Sequence, residues 1–148
     1  MMPVEPLSIA ATGMVTSVGL DSLSSCAAIR CAIDNHQETR FMDEGGEWQI
    51  GAEVTLDEPW RGRTKLIKMA AQAIRECLQK AKCEDTTPIP CILSLSEKDR
   101  PGRVIEDDHQ FFSDLEKELK LTFAAKSRTL TYGHTAVAVS IQLSLIHI

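Results

Sequence analysis

The chain has 148 residues, of which 43% are hydrophobic and 25% are charged, with a formal net charge of −5 and a sequence pI of about 5.4. These values predict a folded α/β domain with an aliphatic core, or part of a larger one, and argue against a disordered chain. The acidic balance disfavours nucleic acid as a partner, because contact with a phosphate backbone requires a broad positive field.

The pattern of cysteines and apolar residues predicts a cytoplasmic protein. The five cysteines form no Cys-x-x-Cys pair, the first residues show no charged n-region followed by a long apolar h-region, and no apolar run is long enough to span a membrane. His36 and His109 do not show zinc-ligand spacing with the cysteines, so no metal or cofactor is predicted. We expect the thiols, Cys91 in a central strand included, to be small core residues rather than nucleophiles.

The first elements in chain order are a strand and a helix. Residues 7–11 form a short apolar run before Thr12 and Gly13, which predicts a buried strand and a glycine-dependent bend. Asp21 offers an N-cap for a following helix. The expected apolar face of that helix contains Leu23, Cys26, Ala27, Ile29, Arg30 and Ile33.

A half-exposed strand and a long helix follow. Residues 48–54 alternate between apolar and polar after a Gly-Gly turn, which is typical of a strand with one wet face. Residues 65–81 predict a helix, with Glu76 and Lys80 placed for an i,i+4 ion pair. Its expected packed face contains Leu66, Ile67, Ala70, Ala73, Ile74, Cys77, Leu78 and Ala81.

The second half of the chain predicts two further strands and two helices. Residues 91–95 form a nearly continuous apolar run, which is typical of a buried central strand. The acidic residues 106–108 suit the positive N-terminus of a helix that carries Phe111, Phe112, Leu115 and Leu119. Residues 128–131 predict a short strand and residues 135–142 a buried helix. Strands and helices that alternate in this way indicate a layered α/β fold.

Several of these elements together resemble the opening of the β-ketoacyl synthases of the thiolase superfamily. The resemblance is carried by TGM at 12–14, TSVG at 16–19, AAIR at 27–30 and TRF at 39–41, and by the strands and helices that follow. It implies a thiolase-like α-β-α domain over residues 4–142, incomplete, with only the N-terminal part of the fold. It also implies an acyltransferase family that condenses acyl-carrier thioesters in fatty acid or polyketide synthesis.

His134 occupies the position where the resemblance implies the catalytic cysteine. The matching stretch runs from Tyr132 to Ile141, and it contains no cysteine. Since a histidine cannot form the same long-lived thioester, we expect this chain to be inactive by itself. Two interpretations of His134 stay open, a general base or hydrogen-bond donor at a helix N-terminus, and a polar turn residue that caps the helix.

The basic residues Arg61, Arg63, Lys65 and Lys68 form a local cluster in an acidic chain. The resemblance implies acyl carrier protein as a partner, for which this cluster would be a docking surface, and a homo- or heterodimer in the full-length form. The alternative is a solvated helix start. Residues 143–148 resemble a translated sequencing adaptor, which predicts a non-native tail. The competing functional hypothesis is a non-catalytic thiolase-fold partner or scaffold protein that lacks the nucleophile.

Overall fold

The computed structural model describes residues 8–146, with side chains through Leu143, and it is mixed α/β, as predicted. The chain divides into two compact units. One contains residues 8–60 with Gln72–Cys83, and the other contains Arg61–Ala71 with residues 84–146. The described residues form four α-helices and two separate two-stranded sheets.

The first unit contains helix α1 (Ser22–Arg30), whose start is the predicted one. The Asp21 carboxylate caps it by accepting from the Ser24 amide at 2.8 Å. The predicted apolar face is wrong, because Leu23 is 75% exposed and the buried residues are Ser22, Ser25 and Ala28. Ser25 can be buried since its hydroxyl lies 3.0 Å from the Gly19 carbonyl oxygen, so the loop before the helix satisfies it.

The strand predicted over residues 7–11 is wrong for the residues that the structure describes. Residues 8–11 have no regular secondary structure, and Ile9 is 84% exposed, while Leu7 lies outside the described residues. An apolar run becomes a buried strand only when neighbouring strands and helices cover it. In the part of the chain that the structure describes, neither sheet includes these residues.

A β-hairpin follows α1, built from β1 (Gln37–Met42) and β2 (Trp48–Gly51). β2 confirms the predicted strand, over a shorter range, whereas β1 was not predicted. The strands are antiparallel, with Gln37 opposite Gly51 and Met42 opposite Trp48. Gly46 adopts a φ of +83° in the connecting turn, a conformation that favours glycine.

Helix α2 (Gly62–Lys80) confirms the predicted long helix. Its predicted ion pair also forms, with Lys80 Nζ 2.5 Å from Glu76 Oε1. Ile67 is buried as expected and Ala71 is buried outside the predicted face, but Leu66 is 37% exposed, so the packed stripe differs from the predicted one. The helix belongs to the second unit up to Ala71 and to the first unit from Gln72.

The second unit has a β-α-β arrangement at its centre. β3 (Ile92–Ser94) and β4 (Arg128–Leu130) pair in parallel, with Ile92 opposite Arg128, and helix α3 (Asp108–Leu119) lies between them in the chain. All three elements confirm predictions. The core includes the predicted Phe111, Leu115 and Leu119, joined by Ile105 and Phe123, which are also buried. The β3 strand itself is half-buried or exposed, so the prediction of a fully buried strand is wrong.

The chain then enters a 3₁₀ turn (Gly133–Thr135) and helix α4 (Ala136–Ile146). The predicted helix over residues 135–142 is confirmed in position, and it continues into the segment expected to be a tail, of which residues 147–148 lie outside the described residues. Ala136 is buried, but Val137 is 61% and Ile141 56% exposed, so α4 is not the buried helix that was expected.

Candidate functional site

The carboxyl ends of β3 and β4 lie side by side, and this edge carries the candidate site. The Leu95 amide donates to the Leu130 carbonyl at 2.7 Å, and the Gly133 amide donates to the Leu95 carbonyl at 3.2 Å. The segments that follow the two strands are therefore brought together. In α/β proteins, ligands bind at this end of parallel strands, since the loops that leave the strands meet there.

His134 lies at this edge, in the 3₁₀ turn that precedes α4. Its Nδ1 is 3.9 Å from Glu97 Oε1, and its side chain is 92% exposed. An ion pair this long and this exposed contributes little to stability. At 3.9 Å the two groups are beyond hydrogen-bond distance, so the contact places a carboxylate near the imidazole without joining the two.

Gly133 allows Glu97 to reach this position. The glycine has a φ of +53°, and a Cβ added to it would collide with the Glu97 carboxylate. The carboxylate therefore lies against bare backbone one residue before His134. Glu97 was not predicted as a site residue, because only the pairing of β3 with β4 brings it to residue 134.

A cleft of about 610 Å³ opens beside the N-terminus of α3 in the same unit. Arg103 lines it with a side chain that is 8% exposed, and its guanidinium donates to the Asp108 carboxylate and to the Ile105 and Ser96 carbonyls. Asp107 caps the helix, and the hydrogen bonds from the Gln110 and His109 amides lower the pKa of its carboxyl group. Asp108 thus binds the Arg103 guanidinium, and Asp107 binds the free amides at the helix N-terminus. Both groups that could bind an anion in this cleft are therefore already paired with carboxylates of the chain.

The predicted docking cluster, Arg61, Arg63, Lys65 and Lys68, lies at the start of α2. Arg63 pairs with Asp114, and Lys68 Nζ lies 2.8 Å from Glu118 Oε2. The Arg63 guanidinium is also 6.0 Å from the centre of the Phe111 ring. At least two of the four positive charges are therefore engaged by α3, so the positive surface is weaker than the sequence indicated.

In the first unit, the loop over residues 12–21 is held by Gln72, whose side-chain amide donates to the Leu20 carbonyl at 2.9 Å, and by the carboxylate of Glu76. That carboxylate accepts from the Met14 amide at 2.9 Å, from the Ser22 amide at 2.9 Å and from the Ser22 hydroxyl at 2.7 Å, besides Lys80. Hydrogen bonds from Lys80 first, and then from Ser22 and Met14, lower the pKa of Glu76 to about 2. The sequence predicted the ion pair with Lys80 but not the contacts with the loop.

The depressed pKa of Glu76 makes its contribution to folding dependent on pH. A carboxylate with a folded pKa of about 2 and an ordinary value of 4.5 stabilises the native state above pH 4.5, and that stabilisation is lost as the pH falls towards 2. Glu76→Gln should therefore lower the Tm at pH 7, and the difference from the wild type should shrink between pH 4.5 and pH 2. Thermal unfolding across this range measures it, with the exposed Glu84→Gln as control. A difference that is constant with pH would contradict the assignment.

The described cysteines are all free thiols. Cys26 and Cys31 are exposed, so the prediction that they are buried core residues is wrong, while Cys77, Cys83 and Cys91 are half-buried. Burial, followed by the charge of Glu116, raises the pKa of the Cys91 thiol to about 11. That thiol is protonated at neutral pH, as expected for a core residue rather than a nucleophile.

Residues 8–146 contain no cluster of three or more His, Cys, Asp or Glu side chains that could hold a metal ion. No helix within that range is both long and apolar enough to cross a membrane. Comparison with protein-family models, with curated proteins and with solved structures finds no match to this chain.

Proposed function

We propose that this chain is a β-ketoacyl synthase-like protein of the thiolase type in which His134 replaces the nucleophilic cysteine. The observation that carries the proposal is the order strand, turn and helix at residues 128–146, with His134 between β4 and α4. The resemblance implies a nucleophile in this place, where the positive end of the helix favours a thiolate. The finer thiolase-like layered architecture and the cytoplasmic location belong to the same proposal.

The chemistry of His134 predicts that the chain does not form carbon–carbon bonds. A condensing enzyme first transfers the acyl group: a thiolate attacks the thioester carbonyl, a new thioester forms, and the carrier thiol leaves. Imidazole would give an acyl-imidazole, which water hydrolyses. The nearby Glu97 carboxylate also disfavours a second negative charge, so the position is unsuited to a thiolate as it stands.

A non-catalytic partner or scaffold role is the second candidate, and the exposure of His134 favours it. A catalytic base works inside a site that excludes water, whereas the His134 side chain is 92% exposed. Acyl carrier protein remains the proposed partner through the basic cluster. Since that protein is acidic, it would compete with Asp114 and Glu118 for Arg63 and Lys68.

The test is to install the thiol that the resemblance implies. With a synthetic acyl thioester, the wild type should show no acyl group on His134, while His134→Cys should become acylated at residue 134. Since Glu97 opposes a thiolate, His134→Cys with Glu97→Gln should react about tenfold faster than His134→Cys alone. Intact mass and peptide mapping after timed incubation measure both rates.

Thiols at two other positions of the same protein show whether position 134 reacts faster than its exposure alone would explain. Ile141→Cys places a thiol on α4 at a site that is 56% exposed but away from the helix N-terminus, and Cys26 is an exposed native thiol. Both should react more slowly than Cys at position 134 in the Glu97→Gln background. Equal rates at all three positions would contradict the proposal, as would turnover of acyl and malonyl carrier thioesters by the wild type.

A further inference from the structure

The segment over residues 34–58, here called the acidic hairpin, contains β1, β2 and their flanks. Its charge is almost entirely negative, because Arg40 is the one arginine or lysine beside eight carboxylates. These are Asp34, Glu38, Asp43, Glu44, Glu47, Glu53, Asp57 and Glu58. The Arg40 guanidinium lies 5.4 Å from the centre of the Phe41 ring, so even this positive charge is directed at an aromatic face. The hairpin therefore presents a negative field to its surroundings.

The same hairpin exposes large apolar side chains. Phe41 is 59% exposed, Met42 51%, Trp48 48% and Ile50 63%. Trp48 and Ile50 are two residues apart on β2 and so share a face, with Met42 directly opposite Trp48 and Glu38 directly opposite Ile50. One face thus combines three large apolar side chains with a carboxylate, a composition typical of binding surfaces.

The hairpin also has an edge at which another strand could pair. Within residues 8–146 its sheet has only two strands, and a two-stranded sheet is marginally stable alone. The pairing is irregular between Glu38 and Met42, which disturbs the edge of β1 and leaves β2 the more regular edge. A separate groove of about 500 Å³ is lined by residues 37–41, Arg40 included, and by residues 51–53, so it does not include Met42, Trp48 or Ile50.

We propose that the acidic hairpin binds an extended, positively charged segment of a partner protein. Lysine or arginine side chains of that segment would pair with the carboxylates, its apolar side chains would cover Met42, Trp48 and Ile50, and its backbone would pair with the edge of β2. The negative field rejects nucleic acids, anionic lipid surfaces and acidic carrier proteins. This surface is therefore distinct from the basic cluster at the start of α2, and its partner is of opposite charge.

Symmetry argues against a second copy of this chain as the occupant. In a two-fold dimer the same patch lies on both sides of the interface, so hairpin would face hairpin. Each would bring eight carboxylates and one arginine, and like charges directly opposite one another are destabilising. A cationic segment meets no such penalty, and it gains both the charge pairing and the apolar contact.

The experiment titrates the full chain into a dye-labelled octapeptide of alternating lysine and valine with blocked ends, and follows fluorescence anisotropy. A peptide with glutamate in place of lysine is the control probe. The basic peptide should bind and the acidic one should not, and raised ionic strength should weaken the binding. Glu38→Lys with Glu47→Lys should weaken it by about tenfold or more, and Ile50→Ser should weaken it less, by removing apolar contact alone.

A variant with the same change in net charge shows whether binding depends on the hairpin or on the charge of the whole chain. Asp99→Lys with Glu84→Lys makes the same change at exposed positions outside the hairpin, and it should leave the affinity nearly unchanged. Circular dichroism checks that each variant is folded. Equal weakening by both pairs would overturn the proposal, as would equal binding of the acidic peptide or no binding of the basic one. The proposal would also be overturned if sedimentation showed that the wild type self-associates and that the hairpin variants do not.

Discussion

Leu115→Ala is expected to lower the free energy of unfolding by about 2–5 kcal/mol, because it truncates a fully buried side chain of the second unit. Leu115 has no exposed surface and lies on the buried face of α3 between Phe111 and Leu119. Truncation removes buried methyl groups and leaves a cavity that the surrounding core fills only in part. Urea denaturation followed by far-ultraviolet circular dichroism measures the loss.

The control is the same substitution at a partly exposed position of the same unit. Leu66 belongs to the second unit, but 37% of it is already exposed, so Leu66→Ala removes less buried surface. Its cost should be clearly smaller than that of Leu115→Ala. If the two substitutions cost the same, Leu115 is not at the centre of a packed core and the position assigned to α3 is wrong.

Helix α3 shows which parts of the fold could be predicted from the sequence. The acidic residues before it and the apolar residues at spacings of three and four are local signals, and both were right. Asp107 accepts from the amides of His109 and Gln110, while Phe111, Leu115 and Leu119 are buried together. A cap and a helical stripe depend on neighbours within a few residues, so the sequence contains what is needed.

The wrong predictions depend on partners that are distant in the chain. Ile9 needs neighbouring strands to become buried, and the apolar side of α1 is exposed because the loop before it packs on the serine side. The strand β1 was missed since QETRFM lacks clean alternation and forms through its pairing with β2. No local pattern specifies these partners, so pattern and propensity alone could not identify them.

In the candidate site, too, the features set by local sequence were predicted and those set by distant partners were not. The position of His134 between a strand and a helix was predicted from the local pattern of residues 128–142. Glu97 was missed, because the β3–β4 pairing places it there. The ion pairs of Arg63 and Lys68 join residues 51 and 50 positions apart, so the loss of free positive charge could not be read from the cluster itself.

Gly13→Ala is expected to destabilise the first unit by about 1–3 kcal/mol, because the added methyl group would have no space. A Cβ at position 13 would collide with the Ala73 carbonyl oxygen and lie 2.8 Å from its carbon and 3.1 Å from the Cys77 nitrogen. These are backbone atoms of α2, and they cannot move away by rotation about a side-chain bond. The chain approaches the helix this closely beside Met14, whose amide donates to Glu76.

The effect of Gly13→Ala should therefore be coupled to that of Glu76→Gln. Both changes release the same loop from α2, so the double variant should lose less stability than the two single losses added together. Gly45→Ala is the matched control, because a Cβ there would meet only the flexible Asp43 carboxylate, at 3.3 Å. Hydrogen exchange should show the Met14 and Ser22 amides losing protection in Gly13→Ala and keeping it in Gly45→Ala. Strictly additive losses would mean that Gly13 and Glu76 act on different parts of the fold, and the loop would then be held by contacts other than the Glu76 carboxylate.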